Sequence, residues 1–278
     1  MSLDGVDNAN PRWRNAPTVA TRGKWHGYRM RLDLSDDVDR QTYFLGRNYD
    51  REIQLLLDQL LRPGDTFLDV GANIGNTSLH AAARVGPKGR VIAVEPQNDC
   101  CQRLRATLAE NGIHHVELHQ VGLADRAGKQ TLKVLGRGTL MSTFAADANF
   151  DGPNLRQTLQ VEVSTGDALL RDRVLGNLVI KIDVEGYELH ALRGLEQTII
   201  HYRPPIITEV EPELLRRSGF SEQDLFGFLQ ERGYAAQVIG MKRNWLRQWL
   251  LHLRPISQPE QLDEGDNDVI WLHGNERA

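Results

Sequence analysis

The sequence predicts an α/β protein built on a doubly wound, mostly parallel sheet. Three observations predict it. Short apolar runs at 66–70, 90–95 and 178–183 are each followed by a stretch with helical periodicity. These runs are apolar on successive residues rather than alternate ones, as strands covered on both faces must be. The first of them ends in a glycine-bearing turn, Gly71-Ala72-Asn73-Ile74-Gly75, that opens onto a helix.

The totals set the frame. A chain of 278 residues with 40% hydrophobic content can bury a sizeable core as one large domain or two small ones. A net charge of −4 argues against nucleic acid as a partner, because such binding rests on a basic surface. Cys100 and Cys101 are the only cysteines, and adjacent thiols rarely pair, so no disulfide framework is implied. The first thirty residues hold no apolar signal core, and no run approaches the ~18 apolar residues of a membrane span. A cytoplasmic location is the expectation.

Taken in order, residues 1–24 are polar and expected as a loosely held arm, and the 29–40 stretch as a short edge strand. Asp50 stands where it can cap a helix carrying Ile53, Leu56, Leu57 and Leu60, stopped by Pro63-Gly64. Strand 66–70, helix 76–85, strand 90–95, helix 98–111 closed by Gly112, and strand 115–120 follow. Two alternating runs, 130–135 and 159–164, enclose about twenty turn-forming residues, so 126–178 reads as a β-hairpin insertion. Strand 178–183, helix 187–200, strand 205–210 and helix 221–232 resume the pattern. Ser221 and Asp224 are spaced as a capping box. Runs 234–239 and 268–273 are the last strands. We expect an arm with edge elements over 1–48 and a main domain over 49–278.

In such sheets ligands sit at the carboxyl ends of strands, where the winding reverses. There Gly71 permits a sharp turn, and the helix after Gly75 brings a partial positive charge suited to a carboxylate. Glu95, ending the next strand, is suited to the two hydroxyls of a ribose. The turn lacks the third and sixth glycines of the G-x-G-x-x-G dinucleotide fingerprint. Asp69, just ahead of it, would repel a pyrophosphate and attract an ammonium or sulfonium. The combination favours S-adenosylmethionine over a nicotinamide dinucleotide.

Asp69-Val70-Gly71-Ala72-Asn73-Ile74-Gly75, Val94-Glu95-Pro96, Gly122-Leu123-Ala124-Asp125 and Ile180-Lys181-Ile182-Asp183-Val184-Glu185-Gly186-Tyr187-Glu188 resemble, in this order over roughly residues 50–240, the motifs of FkbM-type methyltransferases. The resemblance implies a class I, Rossmann-like S-adenosylmethionine-dependent fold, here with an antiparallel C-terminal strand. It implies O-methylation of hydroxyls on sugars, glycans or small natural products. It also implies that Asp69, Gly71, Ala72, Asn73, Gly75 and Asn76 line the methionine end, that Glu95 and Pro96 meet the ribose, and that Val121 and Gly122 edge the adenine. Asp183 adjoins the cofactor. Gly122 stands where the family often has Ala, and Gln120 where it often has Asn.

Methyl transfer to a hydroxyl needs an aligned nucleophile and a proton acceptor. Asp183 and Glu185 are the first candidates and Glu209 the second; Glu185 and Glu188 are equally read as acids of a helix's first turn. A divalent ion can do the same task, and Mg2+ would find oxygen ligands in Asp183 and Glu185. Lys181 reads as structural. On the acceptor side, 136–153 with Met141-Ser142-Thr143-Phe144 suits a sugar or polyol. The 241–254 stretch, if helical, puts Trp245, Trp249 and Leu253 on one stripe among basic residues, suiting a membrane surface, a lipid-linked acceptor, or packing within the domain or a homo-oligomer. Two other functions stay open: a nucleotide-linked (NAD-type) oxidoreductase, and a non-catalytic S-adenosylmethionine-binding module.

Overall fold

The computed structural model describes residues 13–46, 50–135, 141–144, 155–244, 248–263, 265 and 267–274. It opens with strands β1 (Thr18–Arg22) and β2 (Arg29–Asp33), paired antiparallel as a separate ribbon, and helix α1 (Asp37–Leu45). Thus 18–22 is a strand rather than a loose arm, with Val19 packed on the core. The 29–40 stretch divides into strand and helix because Asp36 caps α1, accepting from the Asp39 N–H.

The repeating units follow: α2 (Arg51–Leu60), β3 (Thr66–Val70), α3 (Asn76–Val85), β4 (Arg90–Val94), α4 (Asn98–Asn111) and β5 (Val116–His119). The insertion holds β6 (Gly122–Leu123), β7 (Gly128–Leu135), β8 (Met141–Thr143) and β9 (Leu155–Ser164) as a small sheet in the order β6-β9-β7-β8. Next come α5 (Gly166–Leu170), β10 (Leu178–Ile182), α6 (Glu188–Gly194), α7 (Glu196–Tyr202), β11 (Ile206–Glu209), α8 (Pro212–Arg217) and α9 (Glu222–Gln230). The last strands are β12 (Tyr234–Arg243), β13 (Trp249–Ile256) and β14 (Asp268–His273).

The main sheet has eight strands in the order β13-β12-β14-β11-β10-β3-β4-β5. β5, β4, β3, β10 and β11 are parallel, and β14 enters antiparallel between β11 and β12. The architecture is the expected α/β one, a mostly parallel sheet with an antiparallel C-terminal strand. Side chains alternate between two cores. Leu68, Val70, Ile180, Ile182 and Trp271 pack on one face, and Phe67, Val91, Val179, Ile207 and Ile270 on the other.

Two expected elements differ. The single helix expected over 187–200 divides at Leu195 into α6 and α7. The 241–254 stretch is not a helix: Tyr234–Arg243 and Trp249–Ile256 form an antiparallel hairpin with Arg243 opposite Trp249. Its apolar residues satisfy both a helical and a two-residue period, and the open edge of β12 beside β14 selects the strand. Trp245 lies outside the described residues, as do most of 136–153. Among the described residues no helix is long and apolar enough to cross a membrane.

Candidate active site

Chain order reverses between β3 and β10, and a cleft of about 1160 Å³, its open mouth included, lies at the carboxyl ends of these strands. One half of it is the β3–α3 turn. Gly71 holds φ 84, and a Cβ there would stand 1.8 Å from the Asp183 carbonyl oxygen, so only glycine lets the β3 and β10 ends meet. The N–H groups of Gly71 and Ala72 both donate to the Val94 carbonyl at 3.0 Å, and that of Asn73 donates to Glu95 Oε2 at 2.9 Å. Three successive donors are therefore turned inward onto the protein, where a phosphate loop would turn them onto its ligand.

Glu95 is buried at the end of β4. Its Oε1 accepts from the Gln97 N–H at 2.7 Å, and each carboxylate oxygen keeps a further lone pair for a hydroxyl. Burial pushes its pKa up to about 7, against the pull of the Gln97 and Asn73 donors. Cys101 donates to the Glu95 carbonyl and Cys100 to Asn73 Oδ1, so the two thiols brace this turn as separate, unoxidised groups.

The other half centres on Lys181, which sits in an otherwise apolar strand on the same face as Asp69, its neighbour in register. Its Nζ donates to Asp183 Oδ2 at 2.7 Å. Burial opposes the charge, but Asp183 and Asp69 outweigh it and hold the ammonium protonated. Around it stand Asp50 at the start of α2, Glu185, Glu209 and Asp268. Burial, reinforced by the neighbouring carboxylates, raises Asp50 to about 8, Glu185 to about 8 and Glu209 to about 9. Burial likewise raises Asp268, to about 6. Among the described residues the cleft carries six carboxylates, Asp50, Glu95, Asp183, Glu185, Glu209 and Asp268, against one ammonium, Lys181.

Glu188 is a brace. Its Oε1 accepts from the N–H groups of Val184 and Gly186 at 3.1 Å each, closing the turn that carries Glu185 at φ 53. A non-glycine residue in that left-handed conformation stores strain, and the brace maintains it. The insertion reaches the same turn, with Thr143 Oγ1 donating to the Glu185 carbonyl at 2.9 Å. Ser142 and Phe144 line the cleft beside it.

Of the expected cofactor residues, Gly71, Ala72, Asn73, Asn76, Glu95, Pro96, Val121, Gly122 and Asp183 line the cleft, as do the expected catalytic residues Glu185 and Glu209. Asp69 and Gly75 stand behind it. The Asp69 carboxylate is fully buried, accepts from Ser78 Oγ at 2.5 Å and faces Lys181 electrostatically, so it does not line the cleft. Gly75 turns α3 into place where a Cβ would strike Leu104 at 2.4 Å. Gly122 fits the Phe144 ring, which a Cβ would meet at 2.4 Å, and this accounts for glycine at that position. Gln120 bonds Arg105 and Asn98 on the exposed surface.

Sequence reasoning gave no site role to three charged cleft residues, Lys181 among them, which it read as structural. Lys181 was legible as the one charge inside an apolar strand. Asp50 and Asp268 were read only as a helix cap and a strand start, and Asp50 makes no side-chain capping bond. The donor set for Mg2+ does not fit: Asp183 is engaged by Lys181, and among the described residues no group of three or more His, Cys, Asp or Glu side chains is arranged to hold a metal ion.

Comparison with known proteins agrees with this geometry. A family model described as the methyltransferase FkbM domain matches residues 69–236. The AMB antimetabolite synthetase AmbE of Pseudomonas aeruginosa is 30% identical over 207 residues, 58% of this chain and 10% of that protein. The 31-O-demethyl-FK506 methyltransferase FkbM of Streptomyces tacrolimicus is 28% identical over 201 residues, covering 59% of this chain and 76% of that one. The hexuronic acid methyltransferase AglP of Haloferax volcanii is 25% identical over 195 residues, covering 69% and 72%. The chain thus spans a tenth of AmbE and about three quarters of the other two.

Proposed function

Because this chain belongs to the FkbM methyltransferase family, we propose that its acid-lined cleft binds S-adenosylmethionine and serves methyl transfer to a hydroxyl of a sugar, glycan or small natural product. The observation that carries this reading is the cleft's acidic lining. Six carboxyl groups against one ammonium suit a phosphate-free cationic nucleoside, whose charge favours their ionised forms, and the adjoining turn, with its first three N–H groups spent internally, offers a dinucleotide's phosphates no donors there. The hydroxyl acceptor is supported by the activity for which the FK506 relative is named, and the sugar class by that of the hexuronic acid relative.

When bound, the cofactor supplies an electrophilic methyl group on a sulfonium. Glu95 would accept hydrogen bonds from its ribose hydroxyls. The N-terminal turn of α3, at Asn76 and Thr77, would meet its carboxylate with the helix dipole. Asp183, paired with Lys181, would stand toward the sulfonium. Glu185 and Glu209 are the proton acceptors for the hydroxyl: the burial that raises their pKa values makes each, once ionised, a stronger base than a solvated carboxylate. Phe144 and Ser142 cover the acceptor side and restrict water.

The test pairs calorimetry with mass spectrometry. S-Adenosylhomocysteine should bind and NAD(H) should not. Incubation of glycan and metabolite pools with deuteromethyl-labelled cofactor should yield labelled ethers. Labelled esters or amines would replace the hydroxyl reading, labelled cofactor that binds without any transfer would make this a binding module, and NAD(H) binding would remove the proposal.

A further inference from the structure

The β12–β13 hairpin contributes no residue to the cleft lining. β12 and β11 are both antiparallel to β14, so they run the same way, and β12 leaves the sheet at the edge where Glu209 and Asp183 open into the cleft. Val238 is its last residue paired with β14. From Ile239 to Arg243 it is paired with β13 alone among the described residues, and five residues at ~3.3 Å each carry it ~16 Å past the cleft floor. Asn244 and Gln248 close the described end, with the Asn244 N–H on the Gln248 carbonyl at 2.9 Å and the Gln248 N–H on Asn244 Oδ1 at 2.9 Å.

The projecting end is apolar and basic together. Trp249 and Leu250 are 46% and 51% exposed, and by strand alternation they point to opposite faces, so no single protein surface covers both. Lys242 and Arg243 are exposed opposite them, with the Arg243 guanidinium 5.0 Å from the Trp249 ring. Residues 239–256 contain no Asp or Glu in a chain whose net charge is −4. An element with apolar groups on both faces of its tip and cations at its flanks suits immersion in the boundary layer of a bilayer, where tryptophan rings and lysine or arginine side chains meet headgroups.

We infer that this hairpin docks on an anionic lipid surface and turns the mouth of the cleft toward it. The complementary charge selects the lipid: the basic tip attracts acidic headgroups, whereas a second copy would bring like charges together. The inference does not depend on which acceptor the cleft methylates.

The experiment is sedimentation of the full chain with vesicles of phosphatidylcholine alone or with about a third phosphatidylglycerol. The parent protein should pellet with the anionic vesicles, bind neutral ones about tenfold less or weaker, and release as salt is raised. Lys242→Glu/Arg243→Glu and Trp249→Ser/Leu250→Ser should each cost about tenfold or more in partitioning, while Lys88→Glu, exposed in the turn that enters β4 at the amino ends of the parallel strands, should change nothing. Quenching of parent tryptophan emission by brominated lipid reads the same contact without any substitution. Absence of both pelleting and quenching overturns the inference. So does equal loss in the Lys88 variant, or a self-association that the hairpin substitutions abolish while vesicle binding stays absent.

Discussion

The two halves of the cleft are built on different plans. The half beside β3 and β4 is made of one turn and one strand end bonded to each other: the Gly71 and Ala72 N–H groups to the Val94 carbonyl, and the Asn73 N–H to the Glu95 carboxylate. The half beside β10 and β11 is made of side chains drawn from α2, β10, β11 and β14, held by charge around Lys181. The first is rigid by hydrogen bonding and close to neutral. The second is electrostatically loaded, with carboxyl groups that share too little compensating charge to ionise together at neutral pH. A cationic ligand relieves the second half and leaves the first nearly unchanged.

Substitutions and pH should separate the halves, starting where the effect is greatest. Glu185→Gln and Glu209→Gln should identify the proton acceptor: whichever fills that role should lose ~10²–10⁴-fold in kcat while S-adenosylhomocysteine affinity stays within about threefold. Parallel loss of affinity would make the residue a cofactor ligand instead. Lys181→Met strands buried Asp69 against Asp183 and should cost ~3–5 kcal/mol in urea unfolding. A cost under ~1 kcal/mol would mean that the acidic half is not held by this lysine.

Glu95→Gln tests the other half and should weaken S-adenosylhomocysteine binding by ~1.5–3 kcal/mol, the scale of a charge-assisted hydrogen bond, with little change in stability. The pH response is smaller but distinguishes the two halves directly. Glu95 has a folded pKa of about 7, and Glu185, Asp50 and Glu209 lie between about 8 and 9. Below those values the groups are protonated and neutral, and a ligand that favours the carboxylate must expel the proton. Affinity therefore rises with pH and levels off above the pKa concerned, by at most ~1.4 kcal/mol per unit per proton. S-Adenosylhomocysteine, with a neutral sulfur, should level off near pH 7, while S-adenosylmethionine should keep tightening toward pH 8–9. Identical profiles by calorimetry would deny the acidic half any contact with the sulfonium.

The mildest change is Gly122→Ala. The added methyl must displace the Phe144 ring, and overpacking of this kind costs ~1–3 kcal/mol at most and less where a ring can turn. It should raise KM for the acceptor more than for the cofactor. An equal effect on both would put Phe144 on the cofactor side.

Legibility in the sequence followed the same division. Helices Asn76–Val85 and Asn98–Asn111 and strand Thr66–Val70 are found where periodicity and glycine stops predict them. The Ser221–Asp224 capping box is formed as its spacing implies. These signals are local, so one chain segment carries them. The short helices Gly166–Leu170 and Pro212–Arg217 have too few turns to show a period, and neither was read. At 241–254 two periods fit equally well, and the helix reading failed because the pairing partner lies in Tyr234–Arg243, on the far side of the turn. In the cleft, Gly71, Asn73 and Glu95 were legible as residues of one turn and the next strand end. Asp50 and Asp268 were not, since each is unremarkable until the sheet brings it to Lys181.

By itself the sequence determined the wound α/β order, the glycine turn after the first core strand, and the acidic character of the strand ends. Each of these depends on side-chain size, φ freedom or charge at neighbouring positions. Only the tertiary structure decided which acids share one cleft, that Asp69 stands behind it while Lys181 lines it, and that the last basic stretch is a projecting hairpin. Those outcomes depend on which strands lie side by side, and hydrogen-bond partners distant along the chain settle that.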